Sequence, residues 1–270
     1  MNRGISLALP LRRGIRRVGF DPAEPMLIPH RLTGRFSAPN GADIAFCCWT
    51  AEGVFYCKED KDGRSIRATE MLCTRLAGHV GVLTPHCAIV EDEYGDGETY
   101  FGSLSLDSPA GVFEVRAALA TPRATELGSP DPWLRSYLSS IYAFDLAIGN
   151  PDRSKSNFMM DIGDRQLRAF DFADVRLESL AADRFSIEGT HTLSVGRQLR
   201  SIHGFDLDAA LEMVKRLEAT PAKVIRRFIS ELPGDWLADG EGESLCEIWE
   251  RRLEARLAAL SAGLRDGSLL

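Results

Sequence analysis

The chain has 270 residues, 44% of them hydrophobic, with 32 basic against 39 acidic side chains and a formal net charge of −7. This composition suits a folded chain with a full core, as one domain of two lobes or as two small domains, and excludes an intrinsically disordered one. The acidic balance argues against the overall basic field of a general nucleic-acid binder, so no specific nucleic-acid binding is expected and a small anionic ligand would need a local site.

The opening stretch MNRGISLALPLRRGIRRVGF carries Arg3, Arg12, Arg13, Arg16 and Arg17 and no acid. Its apolar run is short, contains a proline and is followed by arginines rather than a small-residue cleavage site, which argues against a secretory signal. A transit peptide shares this composition; the favoured reading is a basic arm over residues 1–30. No apolar run reaches the ~18 residues of a membrane span, so no transmembrane segment is expected. Cys47, Cys48, Cys57, Cys73, Cys87 and Cys246 lie mostly in apolar runs, without a C-x-x-C pair or a histidine at metal-ligand spacing. They read as reduced core residues of a cytoplasmic protein rather than as zinc ligands or disulfides.

Past the arm, ADIAFCCWT, GVFYCKE, PHCAIVED and TYFGSLSL are short β-branched and aromatic segments separated by turn signals such as NG, AEG and KDGR. They read as strands of an antiparallel sheet. Between the second and third lies IRATEMLCTRLAGHVG, whose Leu72, Cys73, Leu76 and Ala77 recur at helical spacing. After about residue 110 the pattern turns helical. Asp131 and Pro132 form an N-cap and first-turn pair opening a helix whose Leu134, Tyr137, Leu138, Ile141, Phe144 and Ile148 make an apolar stripe ending at Gly149. GNPDRSKSN follows, then two short strands, FMMDI and LRAFDFADV, joined at Gly163-Asp164. From Phe205 onward only helices are expected: one capped by Asp206, one starting at Thr220-Pro221, and a last one striped by Trp249, Leu253, Leu257, Leu260 and Leu264. The fold class is therefore α+β in two lobes: a small antiparallel β lobe with one helix over 31–108, followed by a mostly helical lobe over 109–270, with a ligand expected in the cleft between them.

The candidate site residues are polar groups standing where an apolar pattern would otherwise run on. Lys58 ends a strand, where a lysine is usually just solvated. Glu70 shares a helix face with Cys73 and Ala77, so its carboxylate starts on the inward side. Unpartnered it would be costly, and Lys58 on the neighbouring strand is the natural partner. Asp152, Asn157 and Asp171 bracket a helix-to-strand loop and the strand after it. Two carboxylates and a carboxamide converging there offer hard oxygen ligands for Mg²⁺, and a carboxylate can also accept a proton from a hydroxyl. The competing reading is a set of ordinary turn residues. Asp145, on the helix before the loop, is a candidate support for Asp152, whereas His79 and His86 read as structural.

Lysine on a strand, glutamate on the next helix, aspartate, asparagine five later, then Asp-Phe is the order of parts in protein-kinase-like phosphotransferases. FDLAIGNPDRSKSNFMM followed by LRAFDFADV resembles the catalytic and metal-binding segments of HipA-like kinases, and DRSKSNFMM is also similar to the D-R-H-x-x-N segment of phosphoinositide 3- and 4-kinases. FYCKED, RATEMLCTRLAGHVGVLTP and YFGSLS extend the HipA-like resemblance over roughly residues 35–175. What the resemblance implies is ATP-dependent transfer of the γ-phosphoryl group to a hydroxyl. Lys58 would contact the nucleotide phosphates, Glu70 would fix Lys58, Asp152 would orient the accepting hydroxyl, and Asn157 with Asp171 would hold Mg²⁺. Asn40 and Gly41 would lie in the phosphate-covering loop, although that loop has no G-x-G-x-x-G. Ser103 would lie on the adenine side of a connector from Phe101 to Leu106. Ser154 stands where both families usually carry histidine, and Ala173 where many kinases carry glycine. The front of the chain is shorter than in the HipA toxins, which carry an additional N-terminal subdomain, so a toxin role is not implied. A protein serine or threonine is the expected acceptor; a lipid or other small alcohol, or a non-catalytic nucleotide-binding module, are the alternatives.

Overall fold

The computed structural model describes residues 27–38, 43–93, 95, 97–121, 132–176 and 188–270. Most of the expected basic arm, together with Asn40, Gly41 and Asp131, lies outside the described residues. The first lobe is a six-stranded sheet in the order β1-β5-β6-β4-β3-β2. Its strands are β1 (His30–Arg31), β2 (Gly34–Phe36), β3 (Phe46–Thr50), β4 (Gly53–Lys58), β5 (Cys87–Glu91) and β6 (Thr99–Leu104), and α1 (Ile66–His79) lies between β4 and β5 in sequence. The expected strand-strand-helix-strand-strand order is present, and α1 packs on β5 and β6. The expectation of a purely antiparallel sheet needs one correction: β1 pairs with β5 in parallel, so the sheet is mixed. The strands β1 and β2, two and three residues long, are too short to show a period in sequence.

These two strands curl the sheet. β1 pairs with β5 and β2 with β3, at opposite ends of the strand order, and the residues between them bond to both sides: Leu32 N donates to Glu91 O and Thr33 N to Trp49 O. Inside the curl, Leu32, Cys48, Phe55, Cys57, Ala88, Val90 and Tyr100 form one apolar cluster. The outer face packs Ala68 and Met71 of α1 against Ile89, Phe101 and Trp236. At Gly102, on the inner face, a Cβ would come within 2.5 Å of Val90 and 2.9 Å of Phe55, so only glycine allows this approach.

The second lobe holds α2 (Val112–Ala120), α3 (Pro132–Ile148), β7 (Phe158–Met160), β8 (Leu167–Ala169), α4 (His191–His203), α5 (Leu207–Glu218), α6 (Ala222–Ser230) and α7 (Glu241–Asp266). The stripe on α3 is buried as its spacing implies, and α3 packs most heavily against α5. Asp206 caps α5 by accepting from Ala209 N, and the α7 stripe enters the main core. The helices α2 and α4 had no clear sequence signal: α2 is mostly exposed, and α4 breaks its stripe with Gly196 and several arginines and serines. At the end of α3, Gly149 takes φ 71° and turns the chain into the loop. The buried guanidinium of Arg256, from α7, donates to the carbonyls of Ala147 and Leu146 and so satisfies the C-terminal end of α3. Burial pushes this guanidinium down to about 10. The last turn before the candidate loop is thus fixed from the far end of the sequence.

Candidate functional site

Strand alternation sets the direction of Lys58. Phe55 and Cys57 point into the curl, so Lys58 emerges on the outer face beside its ladder partner Phe101, facing α1. Glu70 of α1 is 1% exposed and meets it there: Lys58 Nζ donates to Glu70 Oε1 at 2.5 Å and to Asp171 Oδ1 at 2.6 Å. Glu70 Oε1 also accepts from the backbone N of Phe172 at 3.0 Å. One glutamate oxygen therefore ties the strand lysine to the Asp171-Phe172 segment of the other lobe. Burial alone would lower the Lys58 ammonium; the charges of Glu70 and Asp171 outweigh it and hold it raised. Burial works to raise Asp171 too, but Lys58 beside it holds the carboxyl below its ordinary range. Glu70 is pushed up by complete burial, opposed by Lys58. The direction best supported by the geometry is the charged pair, because Lys58 Nζ touches both carboxylates.

Asp171 carries φ 66°, one of three non-glycine residues with positive φ among the described residues. Aspartate tolerates this conformation better than most residues. Here it comes two residues after the end of β8 and turns the carboxylate to Lys58. Such an outlier, held by Lys58 on its carboxylate and by the bond from the next backbone N to Glu70, is a conformation that the surrounding contacts maintain.

The loop between α3 and β7 is built around Arg153. Asp145 is fully buried and accepts from Arg153 Nε at 2.8 Å, from Arg153 Nη2 at 3.0 Å and from Asn150 Nδ2 at 2.8 Å. Arg153 Nη1 donates onward to the carbonyls of Asn157 at 2.9 Å and Phe170 at 2.5 Å, while its guanidinium lies 4.9 Å from the centroid of the Phe172 ring. Burial acts to lower this guanidinium, and Asp145 more than offsets it. Asn150 Oδ1 takes the backbone N of Asp152, and Thr192 Oγ1 bridges Asn150 O and Arg153 N. Asn157 Nδ2 donates to Asp152 O at 2.8 Å, which fixes the direction of its Oδ1, and Ser154 Oγ donates to that Oδ1 at 2.9 Å. Phe170 N donates to Asn157 O across the β7–β8 hairpin, so Asn157 and Asp171 belong to adjoining strand ends.

The structure thus brings Lys58, Glu70 and Asp171 into direct contact and sets Asp152 and Asn157 on a loop tied to the same hairpin. Ser103 is different. Phe101 to Leu104 belong to β6, with Ser103 paired to Tyr56 on one side and Cys87 on the other, so the connector between the lobes begins only at Ser105. Asp145 supports the loop as expected, through the side chains of Asn150 and Arg153. The roles of Arg153, Asn150 and Thr192 escaped the sequence reading, because arginine and asparagine in a polar loop look solvated.

His191 was also missed. It opens α4, 39 residues after Asp152, and its Nδ1 lies 2.6 Å from Asp152 Oδ1. Its side chain is 70% exposed and that of Asp152 40%, so the pair is open to solvent. No spacing in the sequence marks it.

No protein-family model matches the chain, and no curated protein matches it in sequence. Solved structures do. The Helicobacter pylori proinflammatory kinase CtkA superposes with a TM-score of 0.55 at 10% identity, covering 88% of this chain and 96% of that one. APH(2")-IIia, an aminoglycoside phosphotransferase solved as its GDP and kanamycin complex, aligns over 81% of this chain and 93% of its own at 17% identity, with a TM-score of 0.32 that carries no weight. With its curled mixed-sheet lobe and its helical lobe, this chain has a protein-kinase-like fold.

Proposed function

We propose that the chain is an ATP- and Mg²⁺-dependent phosphotransferase that moves the γ-phosphoryl group to a hydroxyl, with a serine or threonine of a protein as acceptor. The observation that carries this reading is the contact of Lys58 with both Glu70 and Asp171, next to a loop on which Asp152 is solvent-accessible. A buried lysine held by two carboxylates of opposite lobes is positioned to meet phosphate oxygens entering the cleft.

The carboxylate of Asp171 and the Oδ1 of Asn157 are the hard oxygen donors that suit Mg²⁺, and Asp171 keeps 30% side-chain exposure despite Lys58. The cation would neutralise charge on the nucleotide phosphates when bound. Everything else falls to the chain itself. Lys58 neutralises and positions phosphate oxygens, while Glu70 holds Lys58 and the Phe172 backbone in register. Asp152 orients the acceptor hydroxyl and takes its proton as the oxygen bonds to the γ-phosphorus and the bond to the bridging oxygen of ADP breaks. Ser154, on Asn157 Oδ1, supports the loop from the position where the resembling families carry histidine. A protein acceptor is favoured because Asp152 is at the surface, reachable by a hydroxyl on a large partner. Among the described residues, no helix is long and apolar enough to cross a membrane.

The test is phosphoryl transfer from labelled ATP, in Mg²⁺, by wild type and Asp152→Ala. Turnover is expected to fall by roughly 10²–10⁴ while nucleotide affinity persists. Full turnover in the variant, or no ATP binding by the wild type, defeats the reading; ATP binding without turnover on any acceptor points instead to an interaction module.

A further inference from the structure

A second cluster lies at the seam of the curled sheet, away from Lys58. His30 begins β1, Glu52 sits in the β3–β4 turn, and His86 precedes β5, so 56 residues separate the outermost two. One ligand atom from each lies within 4.8 Å of the other two, the only such group of three metal-capable side chains among the described residues. His30 Nδ1 is 3.6 Å from Glu52 Oε1, and the rings of His30 and His86 meet edge to face with centroids 6.5 Å apart.

The supporting backbone is already organised. His30 is paired with Val90 in the β1–β5 ladder, and the carbonyl of His86 accepts from Leu104 N. The turn carrying Glu52 is held by its own backbone N on Thr50 Oγ1. The His30 ring also stacks on buried Phe55 at 5.7 Å, with 26° between the planes, which restricts its rotation. Two imidazoles and one carboxylate, delivered by three separately anchored segments, differ in kind from the all-oxygen donor set at Asp171. Imidazole nitrogen suits Zn²⁺ and its transition-metal neighbours, whereas Mg²⁺ and Ca²⁺ take oxygen. Three protein ligands of this kind leave a fourth tetrahedral position to water.

We infer that His30, Glu52 and His86 form a zinc site that fastens the entering chain at β1 to the β3–β4 turn. A cation there joins the two sides of the curl and holds the sheet that carries Lys58. This site stands apart from the phosphotransferase reading, and either can fail alone.

The test uses the full chain, stripped of metal with chelator and dialysed. Calorimetric titration with Zn²⁺ is expected to show one ion per chain, with Mg²⁺ failing to compete. At a hundredfold excess over Kd the midpoint of thermal unfolding should rise by roughly 5 °C. His86→Gln and Glu52→Gln change exposed side chains and should leave the unliganded circular dichroism spectrum unaltered. Each should weaken Zn²⁺ by at least about tenfold and, at the same metal concentration, cut the thermal shift to about half or less. Cys87 and the buried thiols are the competing ligands, so Co²⁺ is the spectroscopic probe. Visible d–d bands without a near-ultraviolet thiolate band support the site. A thiolate band, no stoichiometric Zn²⁺ binding, or unchanged affinity in both variants overturns it.

Discussion

Replacing Asp145 by leucine takes the counter-charge from a guanidinium that is 4% exposed and ends three hydrogen bonds, two from Arg153 and one from Asn150. Arg153 keeps its bonds to the carbonyls of Asn157 and Phe170, so it cannot swing into water without breaking those as well. Removing one partner of such a pair costs about 3–5 kcal/mol, because the remaining charge stays buried and uncompensated. Against a total stability of about 5–15 kcal/mol, the variant should remain folded but lose a large share of its margin. Arg153→Met is expected to cost a similar amount from the other side. The double variant should be more stable than either single one, since it buries no lone charge and fills the space with apolar atoms beside Phe158 and Phe172. Urea unfolding of the four proteins, followed by circular dichroism and tryptophan fluorescence, measures the cycle. A loss under about 1 kcal/mol for Asp145→Leu, or single-variant costs that simply add in the double, would refute the view of Arg153 as the centre of the loop.

His191→Ala should lower kcat by roughly ten- to a hundredfold through loss of Asp152 orientation, with KM for ATP unchanged; steady-state kinetics against ATP separates the two parameters. Arg256→Met is expected to cost about 2–4 kcal/mol, because the carbonyls of Leu146 and Ala147 lose a buried donor, and a drop in the urea midpoint without a change in slope is the readout. Asp171 has a folded-state value below its unfolded one, so its contribution is present above the ordinary carboxylate value of about 3.9 and disappears as pH falls through the depressed one. Between about pH 5 and 2 the wild type should therefore lose more stability than Asp171→Asn; equal losses would count against the Lys58–Asp171 contact.

Much of the fold was legible because its elements carry strong periods. The strands β3 to β6 are short apolar runs bounded by turn signals, α1 and α7 have continuous stripes, and α3 has both a stripe and a terminal glycine. The elements missed were those whose existence depends on partners elsewhere. β1 and β2 are strands only because two edges of a curled sheet capture one short segment, and α4 is held partly by Thr192 bonding back to the loop. Lys58, Glu70, Asp152, Asn157 and Asp171 could be picked out because each interrupts an apolar pattern or stands in a recognisable order. Ser103 was placed on a connector only by what the resemblance implies, although it lies within the segment TYFGSLSL that reads as a strand and is a strand residue of β6.

The sequence by itself determined which segments bury themselves and which polar groups that burial strands, because period and residue type are local properties. It named a lysine and a glutamate that needed each other, and an aspartate and asparagine at the spacing of a catalytic loop. Only the tertiary structure decided that one oxygen of Glu70 serves both Lys58 and the Phe172 backbone. It alone set Arg153 between Asp145 and two strand-end carbonyls, and brought His191 to Asp152 and His30 to His86. The longest of those contacts, from Glu70 to Phe172, from His30 to His86 and from Asp152 to His191, join residues 102, 56 and 39 positions apart, and no local pattern encodes which distant group a buried charge or an imidazole will meet.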